Sequence, residues 1–153
     1  MTDLYSAPQR RFPAPSRQVT ASPGIGSAAA TVVLALRPDS SDEVLEQAIA
    51  AAGREHAAVQ AVVFGTDTTT APSTSSLSEC TKLGTALAEA GLEYAVHRAG
   101  PDPAEQILGL AEEHDAAVIV MSTKLRSPVV KLLLGSSAQQ IILEADCPVL
   151  LVK

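Results

Sequence analysis

Residues 122–137 carry the side chains of this sequence best suited to hold an anion. Lys124, Arg126 and Lys131 bring positive charge, and no Asp or Glu occurs between 116 and 143. Gly135-Ser136-Ser137 opens a stretch with helical apolar spacing. A helix start presents free backbone N–H groups and the positive end of the helix dipole, so an oxyanion is stabilised there. Gly135, Ser136, Ser137, Ser122 and Lys124 are therefore the candidate residues for a phosphate-bearing ligand such as AMP or a cyclic nucleotide. The simpler use of these groups is structural: Ser136 caps its own helix and the cations remain solvated.

Other chemistries find less support. His56, His97 and His114 fall on three different predicted elements with no HExxH spacing, so no metal is expected. No GxSxG elbow occurs, and no serine is tied by its context to a histidine and an acid, so no catalytic residues are assigned. Cys80 and Cys147 are far apart and form no CxxC pair. Both read as packing residues of a protein in a reducing cytoplasm. A net charge of -6 disfavours nucleic acid as a partner, and 3% aromatics without Trp offer no base-stacking platform. No apolar run is long enough for a membrane span, and the first residues lack the apolar stretch of a secretory signal.

The groups that do chemistry have to be positioned by a folded body. Residues 1–27 are rich in Pro and Ser, with Arg10, Arg11 and Arg17 against Asp3 alone. They are expected to form a disordered extension, or an arm that orders on a protein partner with Leu4, Tyr5 and Phe12 as anchors. Residues 28–153 are expected to be a single domain. Within it, β-branched and apolar runs predict strands at 31–36, 57–64, 116–121 and 148–152. Alternation over 92–97 predicts a half-exposed edge strand. Helical stripes are Val44, Ala48, Ile49 and Ala52; Leu77, Cys80, Gly84, Leu87 and Ala88; Ala104, Ile107, Leu108 and Ala111; and Ala138, Ile141, Ile142 and Ala145. Capping patterns begin at Ser40, Ser76, Asp102 and Ser136, and Gly53 and Gly91 are the expected stops of the first two helices.

Strands alternating with helices predict an α/β fold: one open, parallel, five-stranded sheet with helices on both faces, flavodoxin-like or Rossmann-like. Its order in predicted strands is 3-2-1-4-5. Ligands of such sheets sit beyond the carboxyl ends of the strands where the order reverses, here between the first and fourth predicted strands.

The stretch from 102 to 153 resembles the universal stress protein family. The likeness rests on GPDPAEQIL, AAVIVM, LLLGSSAQQII and the closing CPVLLVK, and it extends over residues 30–153. It implies a small cytoplasmic protein, usually a dimer, produced under stress. One branch of that family binds ATP through a Gly, two residues, a second Gly, nine residues and then Gly-Ser or Gly-Thr. Counted back from Gly135-Ser136, the earlier glycines would stand at 122 and 125, where this chain has Ser122 and Leu125. Glycine lets backbone amides approach a phosphate, and a leucine side chain obstructs that approach. That branch also has an Asp at the end of its first strand, whereas this chain reads Leu36-Arg37-Pro38 there, with Asp39 too late. The resemblance therefore implies the branch without the ATP glycine motif: a non-enzymatic, dimeric interaction module with no obligatory cofactor. The alternative is a sensor of AMP, ATP or cyclic AMP in the crevice at the strand reversal. The apolar closing strand, Val149, Leu150, Leu151 and Val152, is the expected homodimer interface, because a bare strand edge invites pairing.

Overall fold

The structure, a computed structural model, describes residues 17–37, 40–64, 74–122 and 135–153, with the side chains of 74–76 excepted. In chain order its elements are β1 (Gln18–Ala21), a 3-10 turn (Ile25–Ser27), β2 (Thr31–Leu36), α1 (Asp42–Glu55) and β3 (Ala58–Val63). Then come α2 (Thr74–Glu89), β4 (Tyr94–Arg98), α3 (Pro103–Glu113), β5 (Val118–Ser122), α4 (Ser136–Glu144) and β6 (Val149–Val152). The sheet has six strands in the order β1-β4-β3-β2-β5-β6. Strands β4, β3, β2, β5 and β6 run parallel, and β1 is antiparallel to β4.

Two corrections follow for the expected five-stranded parallel sheet. The sheet is mixed, and its sixth strand comes from the Pro- and Ser-rich extension. The strand over 94–98 is consequently not an edge. Ala95 and Val96 are buried, and β1 pairs with this strand on the side away from β3. β1 escapes a pattern search because it is four residues long and only Val19 of it joins the apolar core. Its bonds compensate. The Arg98 N–H donates to the Arg17 carbonyl at 2.9 Å and the Ser22 N–H to the Tyr94 carbonyl at 2.8 Å. Ser22 Oγ accepts the Tyr94 N–H at 2.8 Å and donates to the Glu93 carboxylate. On α2, Gly84 leaves the space that β1 and β4 need: a Cβ there would lie 3.0 Å from Thr20 Cγ2 and 3.1 Å from Tyr94 Cε2.

The strand period of two sorts the core into two layers. On one face, Val32, Leu34, Val59, Ala61, Val63, Val96, Val120 and Val152 meet Val44, Ala48, Ala51 and Ala52 of α1 and Cys80, Leu83 and Leu87 of α2. On the other, Val33, Ala35, Val62, Ile119 and Met121 meet Ala104, Ile107 and Leu108 of α3 and Ala138 and Ile141 of α4. β2 is buried from Thr31 to Ala35, as a central parallel strand covered on both faces must be. Three residues of the expected stripes are exposed instead: Leu77, Ala88 and Ile142.

Helix ends depart from the sequence pattern in instructive ways. Asp102 caps α3 as expected, its carboxylate accepting the Glu105 N–H at 3.2 Å with Pro103 at the first helical position. α1 runs through Gly53 and stops at His56, which takes the left-handed conformation with φ 51°. Ser41 stands at the N-cap of α1 without a side-chain cap bond, and its hydroxyl donates to the Lys153 carbonyl at 3.3 Å. α4 is capped by Gly135, so Ser136 is its first residue and not its cap.

The second layer holds one polar pair. Gln60 is buried, and its Oε1 lies 2.7 Å from His97 Nε2. Burial first, then the His114 charge, pushes the His97 pKa below its ordinary 6.5, while Glu113 opposes the shift. The unfolded chain therefore takes up this proton before the folded one does. Stability from this group is intact above about pH 6.5 and is lost as pH falls through the lower folded value. Urea unfolding between about pH 7.5 and pH 5 is expected to show stability declining with acidification, with a shallower decline in His97→Gln. An equal slope in both chains would contradict that assignment. Leu34→Ala, at a fully buried central position, is expected to cost about 2–5 kcal/mol in the same measurement.

Candidate functional site

The chain leaves β2 toward α1 on one face and leaves β5 toward α4 on the other, so a crevice opens between the ends of these two neighbouring strands. β2 and β5 pair in register up to Ala35 and Met121. The next residues, Leu36 and Ser122, thus stand side by side at the mouth, with Arg37 following Leu36.

The groups at the mouth are engaged with one another. Ser40 Oγ accepts the Arg37 N–H at 2.9 Å and donates to Ser122 Oγ at 3.2 Å. The Ser40 N–H closes the same turn by donating to the Arg37 carbonyl at 3.0 Å. The Arg37 guanidinium lies 5.4 Å from the centre of the Phe64 ring, a cation–π distance. Phe64 is fixed there because its N–H donates to the Leu36 carbonyl at 2.9 Å. Arg37 Nη1 also comes within 3.8 Å of where a Cβ on Gly135 would stand. Arg37 thereby connects the end of β2 to the start of α4.

Of the residues singled out in the sequence, Ser122, Gly135, Ser136 and Ser137 fall within the described residues. Ser122 is half-buried at the end of β5, Gly135 and Ser136 are exposed at the start of α4, and Ser137 is half-buried. The geometry brings Gly135 to the crevice through Arg37, and Ser122 through Ser40. Lys124, Leu125, Arg126 and Lys131 lie outside the described residues, as does Asp39. Arg37, Ser40 and Phe64 are the residues that sequence reasoning missed. The signal available was position: the first residues after a strand at the order reversal line the crevice, whatever their type.

The remaining candidates sit elsewhere. Cys80 is buried in the core, and burial raises its pKa against the opposing charge of Arg98. Cys147 packs half-buried against the α3 and α4 layer, and burial, reinforced by Asp146, raises its pKa as well. Neither thiol has the lowered pKa of a nucleophile. Among the described residues no group of three His, Cys, Asp or Glu side chains comes together as a metal site. No helix among them is long and apolar enough to cross a membrane.

β6 is paired on one side only, with β5. Val152 is buried in the first layer and Leu150 packs half-buried against it, while Val149 and Leu151 pack half-buried against the second.

The family model described as "Universal stress protein family" matches residues 29–153. A universal stress protein of Mycolicibacterium smegmatis is 40% identical over 68 residues, which are 44% of this chain and 52% of that protein. The match thus spans about half the length of that relative. A solved universal stress protein from Archaeoglobus fulgidus is 28% identical, covers 81% of this chain and 98% of its own, and superposes with a TM-score of 0.68. A second A. fulgidus structure, a universal stress protein in complex with dAMP, shares the fold at 23% identity, with a TM-score of 0.61 over 81% of this chain and 98% of its own. With its crevice, its helix layers and a family match from Ala29 to its last residue, the chain belongs to the universal stress protein family.

Proposed function

We propose that this chain is a non-enzymatic universal stress protein that acts in the cytoplasm through association with protein partners. In this reading its crevice does not hold ATP in the manner of the ATP-binding branch. One observation carries the reading: the described groups at the crevice mouth are engaged with one another. The Ser40 and Ser122 hydroxyls are bonded to each other, and Arg37 extends over Phe64 to the start of α4. Where the ATP-binding pattern wants a carboxylate at the end of β2 and glycines at 122 and 125, this chain has Arg37, Ser122 and Leu125. Association is assigned to β6, Val149–Val152, which stands last in the strand order and suits two-fold pairing with a second copy. The N-terminal extension, residues 1–27, is assigned as the second contact for a protein partner.

A second reading has its own support. Neither an aromatic face nor a helix start neutralises the Arg37 charge, so a phosphate at Gly135, Ser136 and Ser137 would find a cation beside it. This is the nucleotide-sensing alternative, with Lys124 as a further contact. A dAMP-bound structure of the same fold is consistent with it.

Thermal unfolding of the full chain against ATP, AMP, cyclic AMP and inorganic phosphate, each with and without magnesium, separates the two. A ligand held only by the folded state at about 100 times its Kd adds about 2.7 kcal/mol. The first reading expects no saturable rise with any of them. A rise with AMP or cyclic AMP that disappears in Arg37→Ala would replace it with the second.

Sedimentation at micromolar concentration is expected to give a dimer, and Leu151→Pro, which places an imino acid on the edge strand, is expected to give monomers. A chain that sediments as a monomer would remove the β6 assignment.

A further inference from the structure

The two edges of this sheet are not equivalent. β6 is four residues of regular parallel pairing with β5, and no strand among the described residues pairs with its other side. At the other side, β4 would be an equally regular parallel edge if β1 were absent, since Val59 to Val63 pair with Tyr94 to Arg98 without interruption. β1 covers it, and β1 is built unlike an edge that accepts partners. It is antiparallel, four residues long, and its register shifts between Gln18 and Thr20. A short strand with an irregularity is how sheets blunt an edge against pairing with another chain.

Its attachment is specific. Val19 enters the apolar layer, Thr20 fits the space left by Gly84, and Ser22 is gripped by Glu93 and by the Tyr94 backbone. The carbonyl of Arg17 takes the Arg98 N–H at the opposite end. Pairing therefore extends from Tyr94 to Arg98, along the whole length of β4.

We propose that β1 is an edge guard: residues 17–22 occupy the β4 edge in cis so that copies of this chain cannot join through it. A sheet with both edges open joins head to tail and grows, whereas one with a single open edge stops at a closed pair. The guard thereby limits self-association to one side of the sheet. The proposal touches the β6 reading only in that β6 is the edge left open, and the test below separates the two.

The test uses the full chain with Val19→Asp and Thr20→Pro together. The first removes the apolar anchor, and the second places in the strand a residue that cannot donate to the ladder. Both substitutions lie in β1, with Val19 at the margin of the first apolar layer and Thr20 against Gly84 of α2, so protection of β2 and β5 is read alongside. Hydrogen exchange is expected to show loss of protection at the Tyr94 and Arg98 amides while β2 and β5 remain protected. Light scattering is expected to show mass rising with concentration to at least about twice that of the unsubstituted chain, since growth proceeds by whole protomers. A synthetic peptide of residues 17–23, added in trans, is expected to return the mass to that of the unsubstituted chain. Exposed Tyr94 and Arg98 amides with the mass unchanged at every concentration would overturn the proposal, as would growth that the peptide does not reverse. If the unsubstituted chain is a monomer and the substituted one associates, the β6 reading fails and the guard stands.

Discussion

The pairing of β2 with β5 is the constraint on which the rest of this structure depends. β2 is buried on both faces, and it is where the sheet order reverses. One chain exit turns to each helix layer, and a crevice is left between the ends of these two strands. Everything of functional interest at the carboxyl end is placed by this register: Ser122 beside Leu36, Arg37 over Phe64, and the start of α4 within reach of the guanidinium. The fold makes the crevice, and the residue types at its mouth decide what it can hold. Among the described residues those types bond one another, with the Arg37 guanidinium over Phe64.

The same constraint shapes the edges. A parallel sheet built outward from β2 ends in two strands, β4 and β6. The chain closes one of them with residues from before the first parallel strand and leaves the other open. This division gives a segment that otherwise reads as a solvated leader a structural role, from Arg17 through Ser22.

Much of this was legible in the sequence because burial on a sheet imposes a pattern. The β-branched run at 31–36, the apolar run at 116–121 and the Asp102-Pro103-Glu105 cap each follow from a local physical need, and each appears where expected. What could not be read depends on contacts between distant residues. Ser40 opens the capping pattern, yet Ser41 stands at the N-cap, its hydroxyl donating to the Lys153 carbonyl that follows β6. Gly53 looks like a stop, but the chain needs its left-handed turn one residue before the buried Ala57, and His56 supplies it. Arg37 counts as one charge among many until strand register sets it over Phe64. Val19 is a lone apolar residue in polar sequence until Gly84 makes room for the strand that carries it. Composition averages conceal such residues, because a four-residue strand held mainly by its backbone has almost no side-chain signature.

The account's central claim is that side-chain type at the crevice mouth, and not the fold, keeps ATP out. Substituting Arg37→Asp, Ser122→Gly and Leu125→Gly together restores the ATP-binding pattern on an unchanged scaffold, and calorimetric titration with magnesium and ATP reads the result directly. The account predicts saturable binding in the triple variant and no heat of binding in the unsubstituted chain. Saturable binding of equal strength in both would contradict it.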